Sequence, residues 1–406
     1  MTSRRSMMTG LVVAALLLAG TVMFSGRALA ESQSPSMALN GVACLDVSVC
    51  MAAGTYTSPA GVDQPVIEKW TQRGGWKLSR LPSLPAGTST ATLTSIACSG
   101  REFCIAIGSY LAAGASYPDD TPFGFVWRGA RWSLTALPEP AGAEGALISG
   151  LSCATPTSCL AVGYFFTTPA TGLVEQWNGG TWTDFAGPDM DAVSCVAATG
   201  CTGVGRVVSA GPDATESVVV AHWGGTSWIP VATLASGDLA DDSYGWLQIS
   251  CVGVKCMVAG GVTDDLADVF PAAWDGVGSS WSATPTPSLG GGYGSGDRYY
   301  FDGISCAGRA RCTAVGNIYA ASSADGYVNL AERWNGSVWT VQTTPPDRPA
   351  VAGSSLLVGV SCADGRNCLA VGIGNDAAGH EAIESFGDRW TPGGWTATTA
   401  VATPPA

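Results

Sequence analysis

Residues 151–183 read LSCATPTSCLAVGYFFTTPATGLVEQWNGGTWT. Two cysteines bracket five residues, an apolar Leu160-Ala161-Val162-Gly163 run follows, and after a variable loop two tryptophans flank Asn178-Gly179-Gly180. The same order of parts occurs seven times. The cysteine pairs are Cys44/Cys50, Cys98/Cys104, Cys153/Cys159, Cys195/Cys201, Cys251/Cys256, Cys306/Cys312 and Cys362/Cys368, which together use all 14 cysteines. The tryptophan pairs are Trp70/Trp76, Trp127/Trp132, Trp177/Trp182, Trp223/Trp228, Trp274/Trp281, Trp334/Trp339 and Trp390/Trp395, leaving only Trp246 of the 15 outside the scheme. Subtracting successive first-cysteine positions gives 54, 55, 42, 56, 55 and 56 residues. A period of this size over a whole chain marks a repeat array, a solenoid or a propeller.

Each copy divides into four short segments. In the second copy these are residues 93–98, 104–110, 124–128 and 131–137. They are short, alternating or β-branched, and broken by Gly, Pro, Ser and Asp, which argues for strands. No sustained helical stripe occurs beyond the first 30 residues. Seven units of four antiparallel strands predict an all-β, seven-bladed β-propeller, in which radial repetition leaves only short edges exposed. A β-solenoid is the competitor, but its coils are shorter than these units. Every copy holds its four strands in frame, so no strand exchange between first and last blades is expected.

Residues 1–30 read as a signal peptide: Arg4 and Arg5 lead, residues 11–24 are apolar, and Ala28-Leu29-Ala30 forms a small-residue cleavage pattern. Residues 3–8 also suit a twin-arginine signal, which leaves the export route open. The division is therefore 1–30 signal and 31–406 a single propeller of 406 − 30 = 376 residues, about 54 per blade. No later stretch is apolar enough to span a bilayer. Net charge is −13, or about −16 once Arg4, Arg5 and Arg27 are removed, and only three lysines occur. Nucleic acid and anionic membrane are poor partners for such a chain. The expectation is a secreted, extracellular monomer whose partner is a glycan or a protein.

An exported chain with paired, evenly counted cysteines implies disulfides. Each pair lies at the tip of the first hairpin, where positions face each other within bridging range. One hairpin disulfide per blade follows, each contributing roughly 2 kcal/mol by chain entropy. Metal–thiolate sites would need two such pairs brought together. The tryptophans around Asn-Gly turns are expected to fill the contacts between blades, with a ring of sugar-stacking aromatics as the alternative.

Asn178-Gly179-Gly180-Thr181-Trp182 resembles the Asp-box hairpin of sialidase-type propellers, whose core is Asp-x-Gly-x-x-Trp with a Ser or Thr upstream. The match is partial: Asp275-Gly276 keeps the acid, Asn178 and Asn335 replace it, and the upstream hydroxyl is missing. The whole mature chain also resembles secreted bacterial repeat proteins with a Ser-Cys…Cys-x-Ala-Val-Gly unit. Here that unit appears as Ser194-Cys195, Ser305-Cys306, Ala314-Val315-Gly316 and Ala370-Val371-Gly372. The resemblance implies a propeller and, since Asp-boxes occur in enzymes and binding proteins alike, no activity. A sialidase would require three arginines, a Tyr–Glu pair and an Asp acid/base. The arginines here sit at hairpin tips (Arg101, Arg309, Arg311, Arg366) or beside the Trp turns (Arg128, Arg131, Arg333, Arg389), away from the face where propeller sites form.

No G-x-S-x-G elbow, P-loop or dinucleotide fingerprint is present. The two histidines, His222 and His380, lack a second imidazole at metal spacing. The unusual patch surrounds blade five. Asp238, Asp241, Asp242, Tyr244 and Trp246 precede it, Asp264, Asp265 and Asp268 fall inside it, and Tyr293, Asp297, Arg298, Tyr299 and Tyr300 follow it. Aromatic faces with carboxylates suit carbohydrate, and grouped Asp oxygens suit Ca²⁺, although no resident cofactor is expected. The expectation is a non-catalytic binding or interaction module for glycan or cell envelope. The alternative is a carbohydrate-active hydrolase using these carboxylates, which would stand roughly 5–10 Å apart across a sugar.

Overall fold

A computed structural model describes residues 35–140, 142–167, 171–208, 216–234, 247–263, 269–287, 298–319, 327–345, 354–375 and 383–398. Twenty-eight strands and no helix occur among them. They form a seven-bladed β-propeller with four antiparallel strands per blade. The blades span residues 36–78, 88–136, 146–187, 192–234, 248–283, 298–341 and 354–397. In each, every strand pairs with its sequence neighbour. One parallel pair, Val269 with Arg298, joins blades five and six into a continuous sheet.

The apolar run after each second cysteine reflects where that strand lies. Cys159 and Ala161 pack against blade two, while Leu160 and Val162 pack against blade four. A strand buried on both faces loses its polar alternation and reads as a continuous apolar segment. Seven apolar clusters result, one per junction between adjacent blades. One of them joins Leu369 and Val371 of blade seven to Cys50, Ala52 and Val66 of blade one, so the ring is closed. Closure uses side chains: the Leu39 amide donates to Ser385 Oγ (2.8 Å), Ser385 Oγ donates to the Met37 carbonyl (2.7 Å), and Trp76 Nε1 donates to Thr398 Oγ1 (2.9 Å).

The first strand of blade two begins earlier than the sequence suggests, at Thr88 (Thr88–Cys98). Its register shifts between Leu93 and Ser95, and that bulge interrupts the alternation from which a strand is recognised. Equivalent bulges fall at Asn40, Ser149, Asp302 and Val358. Opposite them sit Gly54, Gly108, Gly163, Gly316 and Gly372. A Cβ at these glycines would strike the first strand's backbone, for instance the carbonyl oxygens of Ala38, Thr92 and Tyr300. That close approach is why the Ala-Val run ends in glycine.

All 14 cysteines form seven disulfides, one per blade: Cys44–Cys50, Cys98–Cys104, Cys153–Cys159, Cys195–Cys201, Cys251–Cys256, Cys306–Cys312 and Cys362–Cys368. Each joins direct cross-strand partners with Cα atoms 3.9–4.0 Å apart. The pairing, one hairpin disulfide per blade, is as expected. The second cysteine of every pair, Cys50, Cys104, Cys159, Cys201, Cys256, Cys312 and Cys368, is buried at 0–5% exposure. Each of these belongs to a different one of the seven apolar clusters, because it opens the strand that is covered on both faces. These seven residues are therefore part of the packing between blades as well as covalent staples, and none is presented to a ligand.

The serine before the first cysteine has a separate role. The amides of Cys195, Cys251, Cys306, Cys362 and Cys44 donate to Oγ of Ser152, Ser194, Ser250, Ser305 and Ser361 in the preceding blade, at 2.8–3.0 Å. Blades one and two carry Ala43 and Ala97 there instead.

Twelve of the fourteen paired tryptophans are buried; Trp127 and Trp281 are partly so. The second ring of each pair reaches the preceding blade, as in Trp76 to Thr398 and Trp339 to Thr284 (3.1 Å). The turn between them is tied by its asparagine. Asn178 Oδ1 accepts from the amides of Gly180 (3.0 Å) and Thr181 (2.9 Å), and Gly179 adopts φ 99°.

Two positions before the first tryptophan, the third strand carries Glu68, Phe125, Glu175, Ala221, Ala272, Glu332 and Asp388 in blade order. All four acids are buried. Neither oxygen of Glu175 or of Glu332 meets a donor among the described residues. Glu175 shares its face with Leu173 and Trp177, against Ile105 and Val126 of blade two. Burial pushes its carboxyl up to about 9, helped by the charge of Asp184, its cross-strand partner. Glu332 is opposite Val341, and burial alone raises it to about 8.

Candidate functional site

In every blade the disulfide hairpin and the Trp hairpin share one end of the sheet. Loops between second and third strands, and the connections between blades, lie at the other. Of the blade-five residues singled out above, Asp238, Asp241, Asp242, Tyr244, Trp246, Asp264, Asp265, Asp268, Tyr293 and Asp297 lie outside the described residues, as does His380. Arg298, Tyr299 and Tyr300 open the first strand of blade six. Arg298 is exposed, and Tyr300 is half-buried. Tyr299 is buried with Phe301 against Met257 and Ala259, in the junction between blades five and six. His222 is half-buried, its Nδ1 3.0 Å from Thr202 Oγ1.

The loop face is defined in side-chain detail over blades two to four. Tyr117 lies edge-on to Phe166 (centroids 5.1 Å, 77°), and Phe166 lies edge-on to Tyr164 (5.2 Å, 82°). Tyr117 is 67% exposed, which is unusual for so large a ring, while the other two are half-buried. The loops beneath are laced together by backbone. The Ala146 amide donates to the Asp120 carbonyl (2.8 Å), Glu144 to Phe166 (2.9 Å), and Phe166 back to Gly145 (2.8 Å). The platform is therefore built on the loops of blades two and three plus the connection between them. Its peptide bond Tyr117–Pro118 is cis.

Two carboxylates lie on these loops, Asp189 acting on the Tyr164 phenol and Asp120 in the loop that carries Tyr117. Burial raises the Asp120 carboxyl, against the hydroxyl of Ser109, which donates to it at 3.3 Å. Burial also raises Asp189, with Arg206 acting in the opposite direction. The Tyr164 phenol is raised by burial, then by Tyr117 and Asp189. Further along the face, Arg206 clasps Asp191 through Nε to Oδ2 and Nη2 to Oδ1, both 3.1 Å. Ser109, Tyr164 and Arg206 occupy one repeat position, five residues after the second cysteine. In blade six the same position is Asn317, whose Nδ2 donates to Asp302 (2.6 Å), and burial lifts that carboxyl to about 6.

Exposed ring faces and edges beside carboxylate acceptors can hold the C–H face of a sugar and receive its hydroxyl protons. Among the described residues no group of three or more His, Cys, Asp or Glu is placed to hold a metal ion. The sequence contained one sign of this platform, the Tyr117-Pro118-Asp119-Asp120 run. Its partners Tyr164, Phe166 and Asp189 are 44 or more residues away by number and meet it only across a blade junction.

No family model and no curated protein matches this chain. Solved structures do. The β-propeller domain of the Trilobed protease from Pyrococcus furiosus, described as having an open velcro topology, is similar at TM-score 0.51 and 10% identity, covering 91% of this chain and 100% of that one. The GH74 xyloglucanase from Xanthomonas campestris is similar at TM-score 0.50 and 12% identity, covering 87% of this chain and 52% of that one. A protein of unknown function from Dyadobacter fermentans aligns at TM-score 0.46 and 10% identity, covering 73% and 93%. At these identities the first two likenesses support the propeller fold and nothing of its chemistry.

Proposed function

We propose that this chain is an exported, non-catalytic propeller that binds extracellular glycan on its loop face over blades two to four. One observation carries the reading: the Tyr117–Phe166–Tyr164 platform, held by backbone bonds from two blades and bordered by Asp120 and Asp189. Export is supported by the leader at residues 1–30 and by seven disulfides, which persist in oxidising surroundings. No helix among the described residues is long and apolar enough to cross a membrane. The similar propeller of a xyloglucanase is consistent with a glycan ligand on this scaffold.

A glycan-binding screen on the mature chain, with and without EDTA, tests the reading. A glycan retained by wild type should bind Tyr117→Ala about tenfold more weakly, equivalent to about 1.4 kcal/mol. Unchanged binding refutes a site at the platform. Binding that disappears instead in an Asp264→Asn/Asp265→Asn variant, or only with EDTA, relocates the ligand to the blade-five residues and Ca²⁺. Release of reducing ends from the bound glycan converts the reading to the hydrolase.

A further inference from the structure

The outer rim between blades one and two holds a second site of different character. A groove of about 430 Å³ opens there, lined by Arg80, Leu81 and Pro82 of the connection leaving blade one and by Trp127, Arg131 and Trp132 of blade two. Its volume is in the range of small-ligand pockets. The wall contains two guanidinium groups and no acid, on a chain of net charge −13. Arg80 and Arg131 are exposed and make no ion pair among the described residues. Charge is unevenly distributed around the ring. Lys69, Arg73, Lys77, Arg80, Arg101, Arg128 and Arg131 all fall in blades one and two or the connection between them, whereas residues 146–187 of blade three contain no lysine or arginine.

The first tryptophan here departs from its repeat. Trp127 is the only first-position tryptophan of the seven that is not buried. Trp132 is buried at 4% exposure, and its Nε1, like those of Trp182, Trp228 and Trp395 at the same repeat position, meets no acceptor among the described residues. The groove therefore offers a partly open indole, an apolar floor from Leu81 and Pro82 and two unpaired cations. Main-chain groups beside it are already committed. Ser79 donates to Ile67 (2.8 Å), Arg128 to Arg131 (3.3 Å) and Ala130 to Arg128 (2.8 Å), which leaves little for an extended peptide to pair with.

We infer that this rim groove binds an acidic saccharide, a pyranose bearing a carboxylate. The sugar's C–H face packs on Trp127 and Pro82, and the carboxylate takes charge-assisted hydrogen bonds from Arg80 and Arg131. The site is independent of the loop-face platform, being on another part of the ring and of opposite charge preference.

Calorimetric titration of the disulfide-intact chain with a glucuronate-terminated disaccharide, its neutral glucose counterpart and hexaglutamate tests the inference. The uronate should bind about tenfold tighter than the neutral sugar and weaken with added salt. Arg80→Gln/Arg131→Gln, both exposed and safe for folding, should remove that preference, Trp127→Leu should weaken both sugars, and Tyr117→Ala should change neither. Equal binding of the two sugars, no uronate binding, loss in Tyr117→Ala with retention in the arginine variant, or preferential uptake of hexaglutamate would each overturn it.

Discussion

Replacing Glu332 by Gln should make this protein more stable at neutral pH, by an amount that depends on where the pH is set. The Glu332 carboxyl titrates near its ordinary value of 4.5 in the unfolded chain but is pushed up to about 8 in the folded one. Between those values the folded state holds a proton that the unfolded state has released. Stability from this group is complete below about pH 4.5 and is lost as pH rises, by about 1.4 kcal/mol per unit, until the folded group ionises. Glu175 behaves alike up to about 9, because Asp184 opposes its ionisation where Glu332 faces Val341. From about pH 6 to about pH 8 the two groups together should cost the wild type about 5 kcal/mol, of which Glu332→Gln recovers about half. Asp302, raised to about 6, confines its own contribution to lower pH. Urea unfolding of wild type and variant across that window, with disulfides intact, measures the difference. The ring tolerates Phe125, Ala221 and Ala272 at the same repeat position, so loss of the carboxyl need not disturb the fold. Parallel stability curves for the two proteins over the window would show that Glu332 ionises normally and that the burial argument is wrong.

Two other outcomes follow from the packing. Trp182→Ala removes a ring buried between blades two and three and should cost about 3–5 kcal/mol, read as an earlier urea midpoint; a wild-type midpoint would contradict the interface assignment. Ser361→Ala removes the acceptor for the Cys44 amide at the closing junction and should cost about 1 kcal/mol or somewhat more. Ser305→Ala should cost the same between blades six and seven, and hydrogen exchange should rise at Cys44 or Cys362 accordingly.

Seven repeats, their four strands and the seven disulfides could be read directly because each depends on neighbours within one unit. A cysteine six positions from its partner has little choice of bridge, and Asn178-Gly179 defines its own turn. That Cys104, Cys201, Cys256, Cys312 and Cys368 are buried, like Cys50 and Cys159, was not legible, since what covers them belongs to the junction between blades. The limits of the first strands were less legible as well. Thr88–Cys98 carries a bulge whose extra residue breaks the alternation, and the glycine that accommodates it, Gly108, lies on another strand.

The candidate sites were harder to read, for a related reason. Reading along the chain favoured the blade-five residues, where acids and aromatics cluster in number; the platform over blades two to four combines Tyr117 with Tyr164, Phe166 and Asp189 from separate repeats. The rim groove pairs Arg80 with Arg131, ordinary surface cations in the sequence, whose significance is that a junction brings them to one cavity. Local hydrogen bonding and short covalent loops act over a few residues, so the amino-acid order alone determined the blade, its staple and its copy number. Which side chains meet across a junction, and which acids lose their water there, depends on the angle at which seven copies close, and only the ring decided that.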